Sequence, residues 1–507
     1  MRAFRLTDAA LAALAAGRPS GDTLAELRKA QLSRHLLLLS EIIRTGETPI
    51  WYAVQPPPET LADPMTGLYA ATAVAARRAG TAPPDRATLV VPGSRTLTAT
   101  CDGHTLRVRL EDADPLRDRL GLPPTAPLTA AEAARWQRRL DEAWRLLVRR
   151  HPAQAATVAE VLRVIVPVEP DPGAGGISAT SANAYGAVAM SAPADGVAMA
   201  VGLLHETQHS LLNAAHALFD LVVPSADRAY SPWRDDPRPP FGLLHGAYAY
   251  LAVTRFWRAE AAGGRLAAFE YARWRAAVVA AADGLLGGGR LTAAGRRFVS
   301  ALRDEAGGWL REPLDPEVVR LADGANVDHR VRWRLRNLRV DPAAAASLAA
   351  AWRAGRRRPP VPEPAPRAAP RRELEQSTRL GLIHTLLRPA GARSGPDLLS
   401  DDPAPRPGGG VRPGDDAYLR GDHETAYAAY LADLRETGLR ETGLPEEVAS
   451  PDLDDVWSGL AIVLPALRER PELARAVYRA LDATERAGVD LPRLATWLAG
   501  SGRPPAE

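Results

Sequence analysis

Residues 195–223 read DGVAMAVGLLHETQHSLLNAAHALFDLVV, and this stretch decides the fold class. Its apolar residues recur at helical spacing, so the spacing predicts one helix over about 195–223. His205 and His209 stand four apart and therefore share one face, where both imidazoles can reach one ion. Glu206 lies about 100° around the axis from that face, which is the geometry of an HExxH motif. The remaining side chains (Val197, Met199, Val201, Leu203, Leu204, Leu211, Leu212) are apolar and would surround the histidines with a low-dielectric medium that excludes water. The plain alternative is a core helix carrying two partly buried histidines.

The third ligand decides the chemistry, and the downstream residues depart from the known protease patterns. A metzincin spacing requires Gly at 212 and His at 215, where this chain has Leu212 and Ala215. His216 shares the face of the pair but lies roughly 10 Å along the axis from His209, too far for the same ion, and reads as packing. The next predicted helix, 241–262, offers no carboxylate before Glu260, which excludes a thermolysin-like glutamate. It does offer His245 beside Gly246 on a face of small residues, where two helices can approach closely. His245 is therefore the candidate third ligand, with Asp235 and Asp236 as rivals.

Outward from this centre the chain reads as mainly α with a small β component. Residues 22–45 and 129–150 carry helical periodicity. Residues 48–55 and 87–111 alternate apolar and polar positions, with turn signals at Pro92-Gly93 and Asp102-Gly103, and predict a small antiparallel sheet. VLRVIVPVE (161–169) and AYGAVAMS (184–191) read as buried strands around the loop DPGAGGISATSAN. Helices continue to about 355, after a loop over 224–240. Residues 356–372 are too rich in proline for a helix and too charged for a core, so they predict a linker. The expected organisation is a catalytic region over 1–355, divided near 150 into a helical/β part and a metal-binding helical part, followed by the linker and a helical domain over 373–507. In the last, GDHETAYAAYLADL and VWSGLAIVL loosely resemble degenerate tetratricopeptide units, and the tandem LRETG at 434–443 reads as a duplication in a loop.

Composition narrows the function. The chain has 507 residues, 46% hydrophobic and 24% charged, with a net charge of +3, which implies several folded domains and no nucleic-acid partner. Lys29 is the one lysine, which argues against Schiff-base chemistry, and the single Cys101 excludes an internal disulfide or a cysteine-built cluster. Any metal must use nitrogen and oxygen ligands. With no apolar run of membrane length, the expected location is the cytoplasm.

Four blocks carry a resemblance: LLHETQHSLL (203–212), SPWRDDPRPPFGLLHGAYAY (231–250), LTAAGRRFV (291–299) and DHRVRWRLRNL (328–338). Together they resemble the actinobacterial aKG-HExxH-type peptide beta-hydroxylases over roughly residues 1–355. The resemblance implies an Fe(II)- and 2-oxoglutarate-dependent dioxygenase that hydroxylates a side-chain β-carbon in a ribosomally synthesised precursor peptide, alongside other peptide-maturation enzymes. Three protein ligands leave three octahedral positions, enough for bidentate 2-oxoglutarate and O2. Three histidines also suit zinc, so a zinc metallopeptidase with Glu206 as general base is the alternative; in a hydroxylase Glu206 would orient its surroundings instead. The distal carboxylate of 2-oxoglutarate calls for a fixed cation, and Arg234 and Arg238 are nearest in sequence to His245. Ser178, Thr180 and Ser181 are placed to hydrogen-bond cosubstrate or peptide, or to form an ordinary loop. Arg330, Arg332 and Arg334 around Trp333 read equally as a basic aromatic surface or as an ion-pair network.

Overall fold

The alternation over 95–110 becomes a tight hairpin. In this computed structural model, which describes residues 4–45, 52, 56–84, 88–90, 94–171, 176–361, 363–367, 377–388, 411–440 and 451–500, β1 (Arg95–Cys101) and β2 (His104–Leu110) pair antiparallel from Arg95 opposite Leu110 to Cys101 opposite His104. Asp102 and Gly103 take positive φ, 47° and 83°, as a two-residue hairpin turn with the twist of its strands requires. The expected strand over 48–55 and the Pro92-Gly93 turn lie outside the described residues, Tyr52 excepted.

The sheet is not wholly antiparallel. Its order is β1-β2-β3-β5-β4, with β3 (Val164–Pro167), β4 (Ser178–Ala179) and β5 (Ala187–Met190); the outer pairs are antiparallel, but β2-β3 and β3-β5 are parallel. Parallel neighbours need a long crossover, and two helices over residues 130–161 supply it between β2 and β3. Every residue of β3 and β5 is buried, because parallel strands are covered on both faces. One face meets the apolar side of two helices: Val164, Val166, Ala187 and Ala189 pack with Leu39, Ile42, Met65, Leu68 and Tyr69.

Seven helices of this region matter here: α1 (Asp8–Ala15), α2 (Gly21–Thr45), α3 (Pro64–Arg78), α4 (Ala130–Arg150), α5 (Pro152–Val161), α6 (Gly196–His216) and α7 (Pro240–Glu260). Helices α2 and α3 supply the cluster just described. α4 starts in a capping box, Thr129 with Glu132, and buries Trp136, Leu140, Ala143, Trp144 and Leu147 along one stripe. α6 is capped by Asp195, whose carboxylate accepts the Ala198 N–H at 2.8 Å. It ends at His216 rather than near 223, because the following backbone is drawn into other bonds: Leu221 N–H donates to His216 Nδ1, Val223 N–H donates to the Arg290 carbonyl, and Val222 bridges Leu291. α8 (Arg265–Gly287) packs on α7, and α9 (Ala293–Trp309) on α8.

The chain divides into two compact units. Among the described residues the first holds those of 4–229 and 238–313, and the second holds those of 230–237, 314–388 and 411–500. The division falls at 313/314, upstream of the Pro-rich segment 356–372. Helix α10 (Pro316–Asn337) belongs to the second unit because it packs there against α15 (Pro451–Val463). The described part of 356–372 is not a free linker either, since Ala365–Pro366 pairs antiparallel with Leu338–Arg339. Between α10 and α15 the chain forms α11 (Pro342–Arg353), α12 (Thr378–Leu387), α13 (Pro413–Leu419) and α14 (His423–Arg440). The helices expected at 421–434 and 456–464 are thus present. The first LRETG copy lies within α14 and not in a loop, as continuous backbone hydrogen bonding to Arg440 requires, and 441–450 are outside the described residues. Two further short strands, Ala229–Ser231 and Arg234–Arg238, occupy the loop expected over 224–240.

The second unit is organised around a buried cation. Arg379 of α12 donates from Nε to Asp415 at 2.8 Å, from Nη1 to Asp328 and to Ser458 Oγ, and from Nη2 to the Asp455 carbonyl. Tyr430 donates to the same Asp415 at 2.7 Å.

Two measurements test this architecture. Gly186 has φ +86° and a Cβ there would meet the Val161 carbonyl at 2.4 Å, so Gly186→Ala should cost more than about 2 kcal/mol and lower the melting temperature by several degrees. Gly121→Ala, with φ +98° but open space, should cost only about 1 kcal/mol; equal losses would show that the backbone approach at β5 is not constraining. Arg379→Met leaves Asp415 buried without its cation and Asp328 with only Arg332 at 3.7 Å, and should destabilise the second unit by about 3–5 kcal/mol, which denaturant unfolding of the full chain followed by hydrogen exchange in α12 to α15 would read.

Candidate metal centre

Helix α6 carries the centre, and its neighbours are held close by small residues. A Cβ on Gly196 would lie 2.4 Å from Glu142 Cβ of α4, and one on Gly202 would lie 3.0 Å from Met190 Cε of β5. The helix is thereby pressed between the sheet and α4 on one side and α7 on another. The HETQH residues are largely buried: Glu206 is 1% exposed and His209 9%, with the His205 side chain the most open at 15%.

His205 and His209 face each other with their Nε2 atoms 2.9 Å apart and their rings at 89°. Burial drives both toward the neutral form that ligates metals, His205 to about 3, helped by His245, and His209 well below its ordinary value. Tyr250 of α7 sets its ring edge-on to His205 at 5.4 Å.

His245 arrives where the sequence reading puts it but in another pose. Its ring stacks flat on His209, centroids 3.8 Å apart and 7° from parallel, with the Phe241 ring tilted at 5.6 Å from it. In-plane lone pairs of stacked rings run side by side and do not converge. Among the described residues the group with mutually close ligand atoms is His205, Glu206 and His209, all within 4.8 Å of one another. Burial, and then the nearby Arg238, lowers the pKa of His245 to about 4. His216 packs as expected, stacked on Phe241 at 4.4 Å.

Glu206 turns toward the sheet. Ser178 Oγ donates to its Oε1 at 2.6 Å and Thr180 Oγ1 donates to its Oε2, while the Oε1 atom stays 4.0 Å from His205 Nε2. Burial raises its pKa to about 7 against the two hydroxyl donors. With the carboxyl pushed up and the imidazole pushed down, the contact with His205 is not an ion pair.

The remaining site candidates separate. Ser178 serves Glu206 and is not a free donor for cosubstrate; the i, i+2 spacing of Ser178 and Thr180, which places both on one side of a strand, was the signal for that pairing. Ser181 Oγ accepts the Asn183 N–H at 3.2 Å and so belongs to a local turn. Arg238 lies in the first unit with His245, and its Nε would sit 3.2 Å from a Cβ on Gly242. Arg234 belongs to the second unit, where its Nε donates to Asp236 at 3.0 Å. Asp235 is also engaged there, with His329 Nε2 at 3.9 Å and Arg336 Nη1 at 3.7 Å, so neither rival aspartate joins the histidines. The 330–334 arginines form ion pairs within the second unit: Arg330 with Glu469, Arg332 with Asp455 and Arg334 with Glu472.

The donor set fits a metal ion. Two nitrogens each about 2.1 Å from one ion lie about 3.0 Å apart at a right angle and about 3.4 Å apart at a tetrahedral one. The observed 2.9 Å suits the right angle, and suits equally a hydrogen bond between the rings when no ion is held. The Nδ1 atoms of both histidines are buried without a hydrogen-bond partner.

No described helix is long and apolar enough to cross a membrane. No protein-family model matches the chain, and no curated protein matches it.

Proposed function

We propose that the chain is an Fe(II)- and 2-oxoglutarate-dependent dioxygenase that hydroxylates a side-chain β-carbon in a ribosomally synthesised precursor peptide. His205 and His209 would hold the iron, and His245, stacked on His209, is the candidate for a third nitrogen. The reading rests on the resemblance of the four sequence blocks. The single structural observation that favours it over proteolysis is the state of Glu206. Its carboxyl is buried, and both oxygens already accept hydroxyl hydrogen bonds from the β4 segment. A protease base must touch the water it deprotonates, whereas a carboxyl fixed in this way orients its own helix.

Iron with 2-oxoglutarate supplies the oxidation: O2 is consumed, 2-oxoglutarate becomes succinate and carbon dioxide, and one oxygen atom enters a C–H bond. Arg238, which lies in the unit of His245 and is near enough for its charge to act on that ring, would be the partner for the distal carboxylate of 2-oxoglutarate. Tyr250 and Phe241 limit the ring orientations of His205 and His245 and keep water from the buried side of the centre. The zinc-peptidase reading keeps one observation in its favour, the 4.0 Å approach of Glu206 to His205.

Anaerobic loading with Fe(II), then addition of 2-oxoglutarate and a precursor peptide in air, should yield succinate and a peptide heavier by one oxygen atom. Peptide cleavage would support the peptidase, and neither product would leave a non-catalytic helical scaffold. Glu206→Gln should retain measurable hydroxylation; its complete loss would overturn the orienting role given to Glu206, and loss of cleavage would mark a base.

The raised pKa also sets a stability trend. Folded Glu206 keeps its proton up to about pH 7, while the unfolded chain releases it near its ordinary 4.5. The folded state therefore holds the extra proton between these values, and stability falls as pH rises from about 4.5 to about 7 and levels off above it. In metal-free protein the gain in melting temperature from Glu206→Gln should be larger at pH 8 than at pH 5, and a pH-independent difference would contradict the burial of this carboxyl.

A further inference from the structure

Five of the six residues from His205 to Ser210 bear a buried polar atom with no hydrogen-bond partner: His205 Nδ1, Thr207 Oγ1, Gln208 Oε1, His209 Nδ1 and Ser210 Oγ. Glu206 is the sixth and is bonded through both oxygens. Native interiors leave few polar groups in this state, and a concentration of them on one turn and a half of helix marks a place where a bound group supplies the missing partners.

Gln208 is the largest of these anomalies. It is 5% exposed, and a long side chain with a carboxamide is costly to bury unbonded when leucine would fill the same space. In a helix long side chains lean toward the N-terminus and cover the residues three and four before them. That lean would carry Gln208 toward Leu204 and His205, on the edge of the stripe that carries both histidines. An imidazole that binds a metal through Nε2 must carry its proton on Nδ1, and metal-binding histidines nearly always donate that proton to an acceptor, which fixes the ring and raises its basicity. His205 Nδ1 lacks an acceptor and Gln208 Oε1 lacks a donor, one helical turn apart.

We propose that Gln208 is the positioning residue of the metal centre: its amide oxygen accepts the Nδ1–H of His205 in the loaded protein and holds that ring in the ligating tautomer. The inference rests on the metal-site reading and adds to it the partner that this site otherwise lacks. It also gives the buried Gln208 Oε1 a donor.

The test is titration of the full-length chain with Co(II), followed by visible absorption and by competition with a chelator, for wild type, Gln208→Leu and Gln208→Glu. Gln208→Leu should bind Co(II) about 10- to 100-fold more weakly. Gln208→Glu should stay close to wild type, because a carboxylate accepts the same proton. In the absence of metal, Gln208→Leu should melt at or above the wild-type temperature, since an apolar side chain replaces an unbonded amide. Loss of Co(II) affinity together with a lowered metal-free melting temperature would assign Gln208 a packing role and overturn the proposal. So would Gln208→Leu binding Co(II) as wild type does. A wild-type chain that takes up no Co(II) would overturn the metal site itself, an outcome distinct from a wild type that binds and a Gln208→Leu variant that binds equally.

Discussion

Everything at the centre depends on burying a polar hexapeptide, HETQHS, inside an apolar helix. Each buried polar group left unbonded costs about 1–3 kcal/mol, so five of them cost as much as the net stability of a typical domain. The surroundings offset that cost by ordinary means. Met199, Val201, Leu203, Leu211 and Leu212 are fully buried, and each contributes about 1.5–3 kcal/mol by leaving water. The glycines at 196 and 202 let α4 and β5 close on the same helix, so its position is set by backbone approach as well as by side-chain packing. A helix fixed so tightly holds its two histidines in register without needing the ion to do so.

The sheet contributes more than a platform. Strand β4 is only two residues long, yet Ser178 on it and Thr180 just beyond it place hydroxyls on both oxygens of Glu206. β4 is held to β5 by two paired positions, Ser178 with Met190 and Ala179 with Ala189, and β5 in turn lies under α6 through Met190. The orientation of the carboxyl is thus set by the same strand pair that packs the helix. Changing β4 pairing would move Glu206 before it moved either histidine.

Much of this was legible in sequence because periodicity and caps are local. The HExxH helix, the Asp102-Gly103 hairpin turn, the helix near 129–150 and the buried strands at 164–167 and 187–190 follow from residue order alone. Parallel pairing was not legible, since β3 and β5 show only continuous burial, and the sheet direction is fixed by the crossover helices. The end of α6 was also hidden. Residues 217–223 are apolar enough to extend the helix, but Val222 and Val223 bond to Leu291 and Arg290, seventy residues away. The placement of α10 was obscured for the same reason, because its buried Asp328 answers to Arg379. The pose of His245 depends on ring stacking, which spacing does not encode.

The separation of Arg234 from Arg238 shows where sequence proximity misleads. Four residues on a helix advance about 6 Å and return to the same face, as His205 and His209 do. Four residues on a strand advance about 13 Å. Arg234 and Arg238 lie at the two ends of one short strand, and that is enough to assign the first to the Asp236 pair of the second unit and the second to the neighbourhood of His245. Equal spacing in sequence therefore brings two histidines to one point and sends two arginines to separate units. Of the two cations, only Arg238 belongs to the unit that holds the histidines, where burial first and its charge second lower the pKa of His245. An anionic cosubstrate at the centre would meet that same field with the opposite sign, so the cation that disfavours a proton on His245 would favour a carboxylate beside it.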